Sequence, residues 1–284
     1  MVDVIKEGQQ KLEAAGKESS AFDARALLSF VTGIPFSQML LHYGDDVADE
    51  QQAQYMQLVE RRINGEPLQY ITGEQEFMGL EFHVDPRVLI PRLDTEILAE
   101  EAIGYVDEKL KEGAADIRVL DLCCGSGALG LSIAKLAGST VVLADISEDA
   151  LDVARENAEA LGVTERITFV QSDLFQNVQG DFDLIVCNPP YVRSDVIPTL
   201  DEEVRGHEPM LALDGGADGL DIYRWIAEEA PDHLRSGGRL MMEIGFDQAE
   251  DVSTLLRHDF DDIQMKKDLA GLDRVVTATS KKSS

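Results

Sequence analysis

The sequence is short of cysteine, tryptophan and basic residues. Its 284 residues include three cysteines, one tryptophan and 25 lysines and arginines, against 54 aspartates and glutamates, which gives a formal net charge of −29. The cysteine number is odd, and all three lie in or beside predicted core strands, which argues against a disulfide framework. Such an acidic surface repels duplex DNA and structured RNA, and we therefore expect no direct nucleic-acid binding. The acidic excess also suggests the hypothesis that the protein works in a high-salt cytoplasm.

Two further absences narrow the class of protein. No apolar run is long enough to span a membrane and no signal peptide is recognisable, so we expect a cytoplasmic protein with no membrane partner. The histidines lack the spacing of metal ligands, so we expect no metal site. They are His42, His83, His207, His233 and His258.

The middle of the chain alternates short apolar segments with stretches of helical periodicity. This alternation predicts a mostly parallel sheet with crossover helices, an α/β fold whose ligands bind beyond the carboxyl ends of the strands. Two final strands are too close together for a crossover helix, so they should pair antiparallel. The predicted strands are 118–122, 140–144, 166–170, 182–187, 239–244, 263–267 and 274–278, and the predicted helices are 128–137, 147–161 and 221–234.

The first predicted strand of this region leads into a glycine turn. Residues 125–130 match the pattern G-x-G-x-x-G, and Asp145 follows at a suitable distance to hold ribose hydroxyls. The pattern suits NAD and S-adenosylmethionine equally, because both carry an adenosine. Asp121 and Asp173 place acidic side chains at the strand ends. A pyrophosphate would require basic side chains there instead, so these two acids favour S-adenosylmethionine. Asp121 could instead fix backbone amides of the turn, and Asp173 could instead cap a helix.

The most informative motif is Asn188, Pro189, Pro190 and Tyr191, directly after the predicted strand 182–187. Proline has no backbone N–H, so this turn offers carbonyl oxygens and the Asn188 side chain. A planar N–H₂ group suits it, with acceptors for its protons and the tyrosine ring for its plane. The groups that fit are a carboxamide or the amino group of a base, and such a turn is hard to explain in a hydride-transfer enzyme.

The remaining segments indicate a second domain and a long loop. Helical periodicity at 21–31 and 49–63 predicts a helical domain, and residues 76–84 read as a hairpin that turns at Gly79. Residues after Tyr191 read as a long loop. Trp225 lies in a helical pattern and is predicted to be core. We predict a helical substrate-recognition domain at 1–73, a hairpin linker at 74–90, a catalytic domain at 91–280 and a disordered tail at 281–284.

With these motifs in place, the chain resembles the peptide chain release factor glutamine methyltransferases nearly end to end. The resemblance continues outside the cofactor and Asn-Pro-Pro-Tyr motifs, and those further segments make it specific. They are residues 66–73, 89–96, 208–209, 212–213, 216–220, 243–245 and 268–275. The family usually has Gly-Thr or similar small residues where this chain has Cys123 and Cys124, and Pro-Glu where it has Leu93 and Asp94.

The resemblance implies a fold, a cofactor and a set of site residues. The implied fold is a Rossmann-like class I methyltransferase domain with a seven-stranded sheet whose last strand is antiparallel, preceded by a small helical domain and a hairpin. The implied partner is a class I release factor, with a glutamine in a Gly-Gly-Gln loop as substrate. Asn188, Pro189 and Tyr191 would be catalytic and, with Pro190, would bind substrate. The implied contacts to S-adenosylmethionine are Arg92, Thr95, Cys123, Cys124, Gly125, Ser126, Gly127, Asp145, Asp173, Leu174 and Asn188.

Three other functions stay open at this stage. One is glutamine methylation of a ribosomal protein, which sequence separates poorly from release-factor methylation. Another is adenine amino-methylation on nucleic acid, which the charge disfavours. The last is a dinucleotide-dependent oxidoreductase or a non-catalytic binding module. The role of Glu243, which ends an apolar strand, is also open.

Overall fold

The computed structural model describes residues 1–281, so the last three residues of the predicted tail lie outside it. The chain divides into two compact units: Met1–Glu74 with Asp201–His207, and Gln75–Leu200 with the chain from Glu208 onward. The helices are α1 (Val2–Ala14), α2 (Ser20–Thr32), α3 (Asp49–Ile63), α4 (Leu68–Thr72), α5 (Thr95–Lys111), α6 (Ala128–Ala137), α7 (Glu148–Leu161), α8 (Glu202–Arg205), α9 (Asp221–His233) and α10 (Ala249–Leu256). The strands are β1 (Glu74–Phe77), β2 (Leu80–His83), β3 (Arg118–Leu122), β4 (Thr140–Asp145), β5 (Ile167–Gln171), β6 (Phe182–Cys187), β7 (Leu234–Glu243), β8 (Phe260–Lys267) and β9 (Asp273–Ser280).

The first unit is a helical cluster around an apolar core. Acids begin α3 and arginines end it, which suits the helix dipole. Inside the unit, the buried Arg62 guanidinium contacts the carboxylates of Asp23 at 2.7 Å and Glu203 at 2.6 Å. Because breaking a buried pair leaves an uncompensated charge, these contacts hold α8 onto the unit. The core is formed by Ile5, Leu12, Ala24, Leu27, Leu28, Met39, Tyr55, Leu58, Val59, Leu68 and Ile71.

The second unit is built on a seven-stranded sheet of order β5-β4-β3-β6-β7-β9-β8. Neighbouring strands from β5 through β7 pair in parallel, and β9 is antiparallel to both β7 and β8. The predicted α/β class and the predicted antiparallel pairing of the last two strands are therefore confirmed. The strands β1 and β2 form a separate two-stranded sheet, as predicted for residues 76–84.

Alternation along the central strands divides the core between the two faces of the sheet. Val119 and Leu184 belong to one cluster, which includes side chains of α5, α6 and α7. Leu120 and Ile185 belong to the other, which includes side chains of α9 and α10. The central strands are thus buried on both faces, which is why they read as continuous apolar runs.

Two regions differ from the sequence-based expectation. Trp225, predicted to be core, is 53% exposed, whereas its neighbours Tyr223 and Ile226 are fully buried. The reason is geometric: a helix presents one face to the sheet, and Trp225 falls outside the stripe set by those two residues. The predicted loop after Tyr191 contains short helical turns at Ile197–Thr199 and Met210–Ala212, besides α8.

At the end of the described chain, the backbone N–H of Lys281 donates to the Asp259 carbonyl. Within residues 1–281, no single helix is both long and apolar enough to cross a membrane, and only the bent pair Ser20–Thr32 and Phe36–His42, taken together, meets a length and composition criterion.

Candidate active site

Two turns meet where the strand order of the sheet reverses. We call residues 123–127 the glycine turn and residues 188–191 the proline turn. The first follows β3 and the second follows β6, and the parallel pairing of these strands aligns Leu122 with Cys187. From this pair the chain continues outwards to β4 and β5 on one side and to β7 on the other. In open α/β sheets such a reversal forms the crevice in which ligands bind.

A cavity of about 200 Å³ lies over both turns. Its lining includes the predicted residues Thr95, Cys123, Cys124, Gly125, Ser126, Asp145, Asp173, Leu174, Asn188 and Pro190. Within the described chain, the lining does not include Arg92, Gly127, Pro189 or Tyr191. Apolar side chains that sequence reasoning missed also line it, among them Phe77, Val88, Leu89, Leu211 and Ile222.

The glycine turn requires backbone conformations that side chains resist. Cys123, Gly125 and Gly127 all have positive φ, at 56°, 52° and 78°. A Cβ on Gly127 would lie 2.9 Å from Leu131 Cδ1, whereas one on Gly125 would meet nothing within 4 Å among residues 1–281. The turn therefore packs against α6 at Gly127 and leaves open space at Gly125, where a ligand can approach the backbone.

Asp121 supports this turn from the buried side. Its Oδ2 accepts a hydrogen bond of 2.8 Å from the backbone N–H of Gly130, in the first turn of α6. Burial raises the pKa of Asp121 to about 8, while the Gly130 hydrogen bond lowers it and the charge of Asp145 raises it. Asp121 thus fixes a backbone amide, as one sequence interpretation held, and it also borders the cavity.

Asp145 ties the end of β4 to the glycine turn. Its Oδ2 accepts from the Gly125 N–H and its Oδ1 from the Ser147 N–H, both at 2.9 Å. Burial raises the pKa of Asp145, and these backbone hydrogen bonds act in the opposite direction. Asp173 is exposed at the end of the next strand and accepts a hydrogen bond of 3.1 Å from Gln176 Nε2.

The proline turn is held by side chains from distant parts of the chain. Asn188 Nδ2 donates to Thr95 Oγ1 at 3.1 Å, and Thr95 Oγ1 donates to Glu243 Oε2 at 2.6 Å. The Tyr191 hydroxyl donates to Glu243 Oε1 at 3.1 Å, and the Tyr191 carbonyl accepts from Gln248 Nε2, also at 3.1 Å. The Asn188 Oδ1 atom is not used by these contacts, which leaves an acceptor on a residue that lines the cavity.

Sequence reasoning left Glu243 without a role and missed Gln248. Glu243 is 2% exposed, and burial raises its pKa, whereas the Thr95 and Tyr191 hydroxyls lower it. The available signal was a glutamate that ends an apolar strand, because a carboxylate in such a position needs buried donors. Which donors it has depends on the sheet, so spacing alone could not identify them.

Arg92 is engaged by an acid at the edge of the site. Its Nη2 donates to Glu208 Oε1 at 2.5 Å, and burial raises the Glu208 pKa while Arg92 lowers it. The next residue, Pro209, lines the cavity. Arg92 therefore anchors the segment that borders the site.

The cysteines are all free, and the buried Cys187 has Cys123 as a neighbour. Burial raises the pKa of the Cys187 thiol well above its ordinary value, so the thiol stays protonated. Among residues 1–281, no cluster of three or more His, Cys, Asp or Glu side chains is placed to hold a metal ion.

Comparison with known proteins agrees with this architecture. Residues 3–73 match a family model described as the PrmC N-terminal domain, and residues 106–202 match the methyltransferase small domain. The chain is similar to a methyltransferase of known structure from Pyrococcus furiosus, with a TM-score of 0.52 and 19% identity, covering 73% of this chain and 91% of that one. At this identity the similarity shows the fold alone.

Full-length relatives are considerably closer in sequence. The release factor glutamine methyltransferase of Agrobacterium fabrum is 41% identical over 272 residues, which cover 95% of this chain and 93% of the relative. The protein of the same name from Clostridium acetobutylicum is 39% identical over 281 residues, covering 97% of each chain. With such identity over almost the whole length, this methyltransferase belongs to the release factor glutamine methyltransferase family.

Proposed function

We propose that this protein transfers a methyl group from S-adenosylmethionine to the side-chain amide nitrogen of the glutamine in the Gly-Gly-Gln motif of class I peptide chain release factors. The products are the N-methylated glutamine, S-adenosylhomocysteine and a proton. The observation that carries the proposal is the pairing of the two turns. A turn suited to a carboxamide, with Asn188 Oδ1 as its acceptor, begins beside a glycine turn that borders the same cavity.

The residues of the cavity fit an adenosine-bearing cation. Asp145 and Asp173 place carboxyl groups along it, and the open space at Gly125 lets a ligand contact the backbone. Arg87 is a basic member of the lining, but it is paired with Asp85, so it is poorly placed to bind a pyrophosphate. S-adenosylmethionine supplies an electrophilic methyl group when bound.

We assign the individual contacts as proposals. Asp145 would hold the ribose hydroxyls, Asp173 and Leu174 would border the adenine, and the glycine turn with Thr95 would bind the remainder of the cofactor. Arg92 would act from the edge, through Glu208, rather than from the cavity lining. No metal takes part in this scheme.

The proline turn would align a poor nucleophile. An amide nitrogen shares its lone pair with the carbonyl, as the rotation barrier of roughly 18–20 kcal/mol shows. Asn188 Oδ1 and the Pro189 carbonyl would accept the two amide protons and aim the nitrogen, and Pro190 and the Tyr191 ring would confine its plane. Such alignment can provide effective molarities on the order of 10⁵–10⁸ M. The proton leaves after transfer, so no ionised base is needed before attack.

The domain roles follow from the same proposal. The helical domain at 1–73 would grip the release factor, the segment 74–90 would link it, and residues 91–280 would carry the chemistry. The match of residues 3–73 to the PrmC N-terminal domain supports the first assignment. A net charge of −29 disfavours a nucleic-acid substrate, and a release factor as substrate implies a cytoplasmic location.

Labelled methyl transfer tests the proposal directly. The enzyme is incubated with labelled S-adenosylmethionine and purified release factor, the Gln→Ala variant of its Gly-Gly-Gln motif, ribosomes or DNA. Transfer to the release factor and not to its variant is expected. Transfer only to ribosomes or only to DNA would refute the proposal in favour of a ribosomal-protein or adenine methyltransferase. Calorimetric titration with NAD in place of S-adenosylmethionine would expose a dinucleotide enzyme.

A further inference from the structure

Glu243 is buried beside the site without lining the cavity. It ends β7, whose parallel pairing with β6 aligns Met242 with Cys187, the residue before the proline turn. Glu243 is 2% exposed, and each of its carboxylate oxygens accepts a hydrogen bond from a hydroxyl group. Burying an acid costs desolvation free energy, and these two hydrogen bonds offset part of that cost.

The hydrogen bonds form a chain with a defined direction. Glu243 accepts from two hydroxyls, and Thr95 Oγ1 donates its single proton to Oε2. Thr95 then has only lone pairs left for Asn188, 3.1 Å away, and this partner must be the Nδ2 group. The hydrogen bond from Thr95 to Glu243 therefore determines which end of the Asn188 amide faces Thr95.

We propose that Glu243 is a positioning residue that orients the Asn188 amide through Thr95, so that Oδ1 faces the substrate. This inference rests on the proposed function. If the Asn188 amide were turned over, it would present N–H donors to the N–H₂ group of the substrate, and the two sets of donors would repel. Glu243 touches neither substrate nor cofactor in this scheme and acts only through other side chains.

A second set of contacts holds the other end of the proline turn. The Tyr191 hydroxyl donates to Glu243, and the Tyr191 carbonyl accepts from Gln248 Nε2. Gln248 in turn accepts from the Gly245 N–H at 2.9 Å, so residues 243–248 contact both ends of Tyr191. The end of β7 and the loop after it thus hold the whole turn in register with the cavity.

The first test compares Glu243→Gln with a matched control. Glutamine keeps the shape but carries both a donor and an acceptor, so it no longer forces Thr95 to donate. We expect kcat to fall about 10- to 100-fold while the cofactor Kd stays within about threefold. The control, Asp183→Asn, alters a carboxylate at the opposite end of the neighbouring strand β6, where it accepts from the Arg118 N–H and from Arg235. It should leave kcat unchanged.

The second test uses Thr95 and needs no change of buried charge. Thr95→Ser keeps the hydroxyl and should retain most of kcat, whereas Thr95→Val keeps the shape and should lose kcat about as much as Glu243→Gln. Combining Glu243→Gln with Thr95→Val should cost much less than the product of the two single losses, because both act on one chain of hydrogen bonds. Equal kcat values for Thr95→Ser and Thr95→Val would overturn the proposal that Glu243 acts through Thr95.

A spectroscopic measurement separates this inference from the proposed function. In protein labelled with ¹⁵N-asparagine, the Asn188 side-chain signal is assigned by its loss in Asn188→Ala. Glu243→Gln and Thr95→Val should shift it, and Asp183→Asn should not. Unshifted signals in both variants would overturn the positioning role even if the release factor is methylated. If the wild type methylates no release factor, the proposed function fails while this measurement still decides the orientation.

Discussion

The glycine turn and the proline turn begin side by side on adjacent strands, but they are held in different ways. The glycine turn is fixed by its own backbone conformation and by Asp121 and Asp145, which accept hydrogen bonds from backbone amides at most 20 residues away. The proline turn is fixed by Thr95 and Glu243, whose hydrogen bonds span 93 and 52 residues of sequence. A turn fixed mainly by its own backbone therefore lies beside a turn whose geometry depends on the assembled sheet.

The two turns have different proposed tasks, and the variant Asn188→Ala tests that division most strongly. Asn188→Ala removes the acceptor that aims the substrate nitrogen, so kcat should fall about 10²- to 10³-fold. The cofactor Kd should change less than about threefold, because the glycine turn is intact. Steady-state kinetics and calorimetry on the same variant measure both quantities. Methylation at the normal rate would show that the proline turn does not align the substrate.

The next prediction concerns Asp121, the buried acid that supports the glycine turn. Burial raises the folded-state pKa of Asp121 to about 8, so the folded protein holds this proton longer than the unfolded chain does. Because proton binding is linked to folding, Asp121 lowers the free energy of unfolding by up to a few kcal/mol as the pH rises from about 4 to about 8. Asp121→Asn lacks the titration while its amide oxygen can still accept from Gly130.

Thermal unfolding of both proteins across this pH range measures the difference. The melting temperature of the wild type, taken relative to Asp121→Asn, should be highest near pH 4 and should decline towards pH 8. Parallel pH profiles for the two proteins would mean that Asp121 is not perturbed in the folded state.

A smaller effect is expected from the backbone of the glycine turn. Gly127→Ala places a Cβ at φ 78° and 2.9 Å from Leu131 Cδ1, which should lower the free energy of unfolding by about 1–3 kcal/mol. It should also weaken cofactor binding, since the turn must shift. Thermal melting and calorimetry are the measurements.

The matched control for this variant lies at the other end of the same helix. Gly138 ends α6 with φ 75°, and a Cβ there would have Arg166 Nη1, at 3.7 Å, as its nearest contact in the described part of the chain. Gly138→Ala carries the same backbone penalty without the close contact and without contact with the cavity. If both variants weaken the cofactor equally, the local geometry of the glycine turn is not what binds it.

The effect of salt on stability should be weaker than these and should involve neither turn. A net charge of −29 makes the folded chain repel itself, and added salt screens that repulsion. Raising the salt concentration to about 1 M should increase the stability by about 1 kcal/mol or less, or roughly 2–4 °C in melting temperature. The wild type, Asn188→Ala and Gly127→Ala should all gain alike. A melting temperature that does not rise with salt would discard the high-salt hypothesis.

Much of the fold was predictable because its signals are local. Helix α6 was predicted at its observed limits, and helix α7 begins after Ser147, whose Oγ accepts from the Ala150 N–H as its N-cap residue. Strand β6 was also predicted at its observed limits, since it is buried on both faces and reads as one apolar run. Trp225 shows the limit: the helix was predicted, but which of its residues face the sheet is set by packing.

The same division holds within the candidate site. The order of residues is enough to predict the α/β class, the glycine turn with its supporting acids, and the proline turn that cannot donate from its prolines. It does not predict that Thr95, Glu243 and Gln248 converge on that turn. Hydrogen bonds across strands require the pairing of β6 with β7, which brings together side chains that no sequence period relates.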